Sequence, residues 1–381
     1  MSAMKRIVVI QRVLTHYRVP FFEQLRDRLA GDGVTLDLLV GQSTTAGALK
    51  GDEATLSWAT QVKNRYLPFG RGNHLVWQPV ARMARKADLV VVEQASRLLV
   101  NYVLLANRRL GGAKVAFWGH GVNLDRESAS RIGEAVKRST APWADWWFCY
   151  TAGTAQLLAE RGISRDRMTV VQNAIDVREL QTIVTAVTDR ERHSLNETLG
   201  VEQGPVALCL GSIYPNKRPQ YLIEAADEIK RGLPGFHLIV VGDGPSRAML
   251  DAASVTRDWL HPVGMLKGKP MAAYASIASV LLNPGLVGLS VLDAFALTLP
   301  MVTCDLELHS PEIEYLRDGY NGVILPRDTS PKQYGEKIVK ILTDEALMTH
   351  LRWGCIESAD EYSIESMVEN FANGVLSALA I

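Results

Sequence analysis

The stretch Pro284 to Thr303, PGLVGLSVLDAFALTLPMVT, decides how the rest of the chain is read. Leu281-Leu282 before it is a short apolar strand, and Asn283-Pro284-Gly285 is a turn. Val287, Ser290, Val291 and Ala294 then fall on helical spacing, Pro300 closes the helix, and Met301-Val302-Thr303 opens another strand. A glycine-containing turn that feeds a helix start can seat an anion, because the first backbone N–H groups of a helix have no intrahelical partner. Asp293 is expected about two turns into that helix, where a carboxylate can accept hydrogen bonds from a sugar diol. One such unit is common and says little by itself. Its weight comes from what stands upstream.

Working outward, the second half repeats the same alternation. Strand patterns run from Val206 to Leu210 and from His237 to Val241, with others near 259–263, 279–282, 300–303 and 322–325. A helix is expected from Pro219 to Lys230, and helical patterns close the chain over about 330–342, 344–358 and 363–379. The first half alternates likewise. Its strands run from Lys5 to Gln11, Val34 to Val40, Leu89 to Val92, Lys114 to Trp118, Asp145 to Tyr150 and Met168 to Val171. Helices begin at Val19-Pro20, cover about 97–109, and run from Thr151 to Glu160 with Thr151 as N-cap. Arg12 to Arg18 reads as a loop, Gly41 to Asn73 as loop with one or two short strands, and Gln172 to Asp176 as the hinge into a connecting segment. Strands alternating with helices of these lengths give parallel sheets covered on both faces, and 381 residues suit two such domains.

Bulk composition narrows the class. With 47% hydrophobic and 22% charged residues, each half can bury a core. Cys149, Cys209, Cys304 and Cys355 form no paired-cysteine motif, which argues against a zinc site or a disulfide framework and fits a reducing cytosol. Neither a secretory signal nor an apolar run of spanning length is expected. The net charge is zero, but residues 1–175 hold 24 Lys+Arg against 14 Asp+Glu, and residues 176–381 hold 17 against 27. A basic first half suggests an anionic partner such as a membrane surface or an anionic acceptor; a solvated surface with complementary fields is the plainer reading.

Ligands of such sheets sit at the carboxyl ends of the strands, so the loops there should carry the chemistry. After Leu210 comes GSIYPNKRP, in which Gly211 and Ser212 permit close backbone approach and Lys217 and Arg218 place two fixed positive charges at a helix entrance. A leaving diphosphate needs such neutralisation, and cations at a helix start are otherwise disfavoured by the dipole. Gly242-Asp243-Gly244-Pro245 after Val241 can admit a nucleotide or simply be a good turn. Met265 and Leu266 could offer apolar and backbone contacts to a base. In the first half, His120 stands between Gly119 and Gly121 at a strand end, and His16 and Arg18 occupy the first strand-to-helix loop.

Taken in order, GSIYPNKRP, VGDGP, NPGLVGLSVLDAFALTLPMVT and HSPEIEYLRDGYNGVIL resemble the C-terminal domain of glycosyltransferase family 4. ADWWFCYTAGTAQLLAERGISRDRMTVVQNAID resembles the end of that family's N-terminal domain, so the likeness covers nearly the whole chain. The resemblance implies a GT-B fold: α/β, two Rossmann-like doubly wound parallel-sheet domains facing across a cleft. The implied division is an acceptor-binding domain over 1–175, a nucleotide-sugar-binding domain over 176–362, and a helix at 363–381 packing back towards the first domain. It also implies transfer with retention of anomeric configuration, no metal and no cofactor, with a UDP- or GDP-sugar as co-substrate.

Carried over residue by residue, Lys217 matches the lysine on the donor diphosphate, with Arg218 beside it. Gly288, Leu289 and Ser290 match the helix-entry residues facing the phosphates, and Asp293 the second carboxylate of a two-glutamate motif, which binds the ribose. Gly211, Ser212, Gly242, Gly244, Met265, Leu266, Gly285 and Val287 complete the expected donor site. His120 resembles the histidine near the transferred sugar and, with His16 and Arg18, would face the acceptor. Three departures stand out: the first motif glutamate falls on Gly285, the second is shortened to Asp293, and the arginine usual after the first glycine is Ser212. The expected activity is sugar transfer to a saccharide or lipid-linked saccharide in cell-surface polysaccharide or glycoconjugate assembly. The expected location is the cytoplasm or the inner face of the membrane, with peripheral contact to anionic lipid and no nucleic acid partner. A soluble small-molecule acceptor, a nucleotide-sugar 2-epimerase and a non-catalytic nucleotide-sugar-binding protein are the alternatives.

Overall fold

The structure is a computed structural model that describes residues 4–44, 53–69, 74–121, 131–201, 204–307 and 309–381. Part of the loop expected over Gly41–Asn73, namely 45–52 and 70–73, lies outside the described residues. The chain forms two compact units, Met1–Ile175 with Ile364–Ile381, and Asp176–Ser363.

The first unit is built on a seven-stranded parallel sheet. In chain order its strands are β1 (Lys5–Gln11), β2 (Val34–Val40), β3 (Thr60–Gln61), β6 (Leu89–Glu93), β7 (Lys114–Gly119), β8 (Trp146–Cys149) and β9 (Met168–Val170). A separate antiparallel hairpin is formed by β4 (Arg65–Pro68) and β5 (His74–Trp77). The sheet order is β3-β2-β1-β6-β7-β8-β9. Successive residues of β1 point to opposite faces, and both faces are covered. Ile7 and Val9 join Phe21, Phe22 and Phe371 in one core, while Val8 and Ile10 join Val100, Leu104 and Trp147 in the other. A continuous apolar strand is the sequence signature of that two-sided burial.

The second unit holds a six-stranded parallel sheet: β10 (Val206–Leu210), β11 (His237–Val241), β12 (Leu260–Gly264), β13 (Val280–Leu282), β14 (Met301–Cys304) and β15 (Gly322–Leu325). The order is β12-β11-β10-β13-β14-β15. Pro219–Gly232 buries Tyr221, Leu222, Ala225, Ala226 and Ile229 against this sheet, at the one-turn spacing of an amphipathic helix.

Several expectations need correction. The loop Arg12–Arg18 contains a turn of 3-10 helix at His16–Arg18. The connecting segment is two helices, Val177–Thr185 and Asp189–Leu199, and two further helices, Arg131–Thr140 and Gly268–Ser276, were not foreseen. The helix after the Pro284–Gly285 turn starts only at Ser290, so Asp293 stands in its first turn, not its second. The reason is local: Leu286 to Leu289 spend their backbone on the neighbouring loops rather than on a helix, as described next.

Both sheets share a topological feature. The chain leaves the central strand to one side, then returns to continue on the other. The order reverses between β1 and β6 in the first unit and between β10 and β13 in the second. At such a switch point the two flanking loops diverge to opposite faces and open a crevice at the carboxyl ends of the strands.

Candidate active site

In the second unit the crevice lies between the loop after β10 and the loop after β13, and the two are stitched together. The Leu286 N–H donates to the Asn216 carbonyl at 2.9 Å, and the Lys217 ammonium donates to the Leu286 carbonyl. Arg218 adopts left-handed backbone, φ +56° and ψ +52°. A non-glycine residue there is costly and needs support. Its guanidinium lies 3.9 Å from the Tyr221 ring centroid and reaches the Pro284 carbonyl at 3.4 Å.

Gly285 is the tightest point. A Cβ on it would lie 2.4 Å from both Cα and C of Lys217 and 2.5 Å from the Asn216 carbonyl. The β10 loop occupies the place from which a side chain would leave. The position where related sequences carry glutamate is therefore closed to any side chain in this backbone arrangement.

A third loop supports the second. The Val287 N–H donates to His309 Nδ1 at 3.0 Å, which leaves Nε2 to carry the proton and donate to the Cys304 carbonyl at 2.8 Å. Burial holds the His309 pKa below its ordinary value, so the neutral ring acts as a spacer between the two loops. The Ser310 N–H returns a bond to the Val287 carbonyl at 2.9 Å.

Charge in this crevice is balanced across it. Burial raises the Asp293 carboxyl to about 6, opposed by the nearby Lys217 charge. Burial likewise lowers the Lys217 pKa, opposed by Cys209 and Asp293. The Ser290 Oγ at the start of the helix is buried and has no hydrogen-bond partner among the described residues. An orphan hydroxyl of this kind costs free energy unless a ligand satisfies it.

The remaining donor-site residues sit on the adjacent strand ends. Gly242 has φ +157°, and a Cβ there would lie 1.9 Å from the Gly211 carbonyl, so these two loops pack backbone on backbone. Ile213 donates to the Asp243 carbonyl at 2.9 Å, and Gly244 takes up the space beside Ile213. Ser212 is exposed, Leu266 half-buried, and the Met265 side chain is 63% exposed, an apolar surface beside the strand ends with room for a flat ring. Gly288 lies against Ser310.

In the first unit, His120 is partly buried at the end of β7 with its ring 4.4 Å from Tyr150. Burial, then the charges of Lys137 and Arg18, lower its pKa to about 4, so it is neutral at physiological pH. Its Nδ1 is buried without a partner among the described residues. Arg18 is 4% exposed, packed over the Trp118 ring at 4.6 Å and bonded to Asn173 Oδ1 at 2.7 Å and to the Tyr150 hydroxyl at 3.2 Å. It sets the aromatic wall behind His120. His16, two residues earlier, points into solvent and is not brought to the same place.

Two residues escaped the sequence reading. Glu93 and Gln94 close β6 at the switch point of the first unit. The Arg12 N–H donates to Glu93 Oε1 at 3.0 Å, and both amide atoms of Gln94 are buried without partners among the described residues. The signal was present: LVVV is followed directly by an acid–amide pair, an unusual end for a buried central strand.

Two doubly wound parallel-sheet units, each with polar groups gathered at its switch point, define a protein of the GT-B fold. Comparison with known proteins agrees. Residues 21–179 match the family model described as Glycosyltransferase Family 4, and residues 204–344 match Glycosyl transferases group 1. The chain belongs to the family 4-like glycosyltransferases. Among relatives, it is 24% identical to the alpha-D-kanosaminyltransferase of Streptomyces kanamyceticus over 63% of this chain and 64% of that one. It is 25% identical to the alpha-monoglucosyldiacylglycerol synthase of Acholeplasma laidlawii over 42% of this chain and 41% of that one. These matches thus span less than two thirds of the relatives' lengths. Among solved structures, Anabaena HepE in complex with UDP superposes with a TM-score of 0.71 at 15% identity, covering 98% of this chain and 100% of that one.

Proposed function

We propose that this protein is a retaining, metal-independent glycosyltransferase that binds a nucleotide sugar on residues 176–363 and its acceptor on the first unit. The observation that carries the reading is the convergence, at one switch point, of Lys217 and Arg218 with the Gly285–Ser290 turn, Asp293 and the unpartnered Ser290 hydroxyl.

The chemistry follows from charge. As the sugar–diphosphate bond breaks, negative charge grows on the leaving phosphate. Lys217 and Arg218 stabilise that charge at fixed positions, which favours the transition state over the ground state. Ser290 and the backbone N–H groups of Gly288 and Leu289 add neutral donors. Asp293 accepts from the ribose hydroxyls. A diphosphate oxygen takes the proton of the attacking acceptor hydroxyl, which approaches from the face the leaving group vacates. His120, held neutral, orients hydroxyls through hydrogen bonds and is not the nucleophile.

UDP in the HepE complex supports a uridine donor, and the alpha-glycosyl names of the two relatives support retention. A lipid-linked or lipid acceptor is supported by the diacylglycerol relative and by the basic first half; the kanosaminyl relative favours the soluble-acceptor alternative. Among the described residues no helix is long and apolar enough to cross a membrane, so lipid contact would be peripheral.

The deciding measurement is a thermal shift with UDP-, GDP- and ADP-sugars, with and without EDTA. One nucleotide should stabilise the protein, EDTA should leave the shift intact, and Lys217→Ala should abolish it while the variant stays folded. A Lys217→Ala protein that turns over as well as the parent would rule the assignment out. Nucleotide release that is equally fast without any acceptor would favour the epimerase or binding-protein alternatives.

A further inference from the structure

The first unit carries a second built crevice, at its own switch point between β1 and β6. Its floor is the Glu93 carboxyl, fixed by the Arg12 N–H at 3.0 Å. Asn101 anchors the same strand end by donating to the Glu93 backbone carbonyl at 2.9 Å. Gln94 is fixed by its own N–H, which donates to the Trp118 carbonyl at 3.0 Å, and its side chain lies against Gly119. That places the amide beside His120. Three buried polar atoms here, Gln94 Oε1, Gln94 Nε2 and His120 Nδ1, have no partner among the described residues.

A donor, an acceptor and a ring nitrogen left open together are the complement of a polyhydroxylated ring, whose hydroxyls both give and accept hydrogen bonds. The rim is cationic. Arg97 is exposed, and its charge and that of Arg12 both act on Glu93. Lys137 lies on Arg131–Thr140, within electrostatic reach of both Arg97 and His120, and its nearest acid is Glu134 at 3.9 Å. Three cations against the acids Glu93 and Glu134 leave the rim net positive. Buried cations that repel one another persist where an anion is to be bound.

We propose that Gln94 and His120 read the hydroxyls of a sugar ring, and that Arg12, Arg97 and Lys137 hold an anionic group, a carboxylate or a phosphate ester, on that same molecule. Only the ligand's role as acceptor rests on the transferase reading; the binding site does not. The neutral saccharide and the aminocyclitol are thereby disfavoured as acceptors.

The test measures binding by titration calorimetry on the full chain with three probes: methyl glucoside, methyl glucuronide and glucose 6-phosphate. The charged probes should bind at least about tenfold tighter than the neutral one, since a charge-assisted hydrogen bond contributes more than a neutral one. Preference for the glucuronide identifies a carboxylate, and preference for the phosphate a phosphate ester. Arg97→Gln, on the exposed rim, should remove the preference and leave methyl glucoside unchanged; Gln94→Leu should weaken all three. Equal affinity for all three probes, no binding by any, or an Arg97→Gln protein that keeps its preference would overturn the proposal. A UDP thermal shift run in parallel reports the donor site separately, so a failed transferase reading and a failed anion site give different results.

Discussion

Asp293 sets function against stability in a single side chain. Its carboxyl is raised to about 6, first by burial and then despite Lys217. Between the unfolded value near 4 and about 6, the folded protein therefore binds more protons than the unfolded one. Stability falls as pH rises through that window and stays lower above it. Asp293→Asn should remove this slope and raise stability at pH 7 by about 1–2 kcal/mol. It should also weaken donor binding roughly tenfold, because the ribose loses a charged acceptor. In the parent, donor affinity should decline as pH drops below about 6. Denaturant unfolding and nucleotide titration across pH 4.5–8 would read both effects; stability and affinity moving in the same direction would contradict this account.

Gly285 makes the complementary case. A Cβ would meet the Lys217 backbone at 2.4 Å, so even Gly285→Ala must push two loops apart. The expected cost is about 1–3 kcal/mol, as for overpacked cores, with a matching loss of nucleotide-induced stabilisation. Restoring the family glutamate should fare no better. Calorimetric unfolding with and without nucleotide checks both. The sequence displayed this glycine as a missing acid; only the structure shows that the space is filled by a neighbouring backbone.

At the scale of elements, what was legible followed apolar periodicity. Val206–Leu210, His237–Val241 and Gly322–Leu325 stand where β-branched runs put them, because each is buried on the sheet. The Thr151 cap was readable too, and its hydroxyl accepts the Thr154 N–H at 3.2 Å. Asp189–Leu199 was missed because it buries no residue, so it has no apolar stripe to find. Its one signal was chemical, the capping box of Thr188 and Glu191. The site was half legible. Lys217, Arg218 and Asp293 lie on motif loops, whereas Glu93 and Gln94 required knowing that β1 and β6 are neighbours. Strand adjacency across 80 residues leaves no local mark.

The helix Ile364–Ala380 shows how much one element can hold. Phe371 stacks on Phe148 at 4.2 Å and meets Trp118 and Phe21 edge-on at 5.0 and 5.4 Å. Trp118 in turn lies under Arg18 and leads into the His120 loop. Phe371→Ala should cost about 3–5 kcal/mol, confined to the unfolding transition of the first unit. Scanning calorimetry should show that transition fall while the nucleotide-stabilised one stays. A loss shared equally by both would mean that this aromatic cluster is not local to its unit.

At the scale of the whole molecule, the zero net charge conceals two opposite fields. Counting the C-terminal helix with its unit, the first unit holds 24 Lys+Arg against 16 Asp+Glu, and the second holds 17 against 25. Among the first unit's cations, Arg6 pairs with Asp37 and Arg108 with Asp145 at 2.9 Å, so part of the excess is already spent on structure. Exposed Leu67 and Phe69 stand beside Arg65 on or next to the β4–β5 hairpin, an apolar and basic pairing of the kind that seats at a lipid headgroup boundary. If the acceptor is lipid-borne, the protein should bind vesicles containing anionic lipid at low salt. That binding should fall steeply between about 50 and 300 mM salt as the Debye length shrinks below the spacing of the charges. Leu67→Ser with Phe69→Ser should reduce the residual, salt-resistant fraction, because that fraction rests on apolar burial. Flotation on phosphatidylglycerol vesicles at several salt concentrations separates the two contributions. Binding that ignores both salt and lipid charge, or is absent altogether, would return the acceptor to the aqueous phase, where the cationic crevice of the first unit would have to recognise an anionic sugar free in solution.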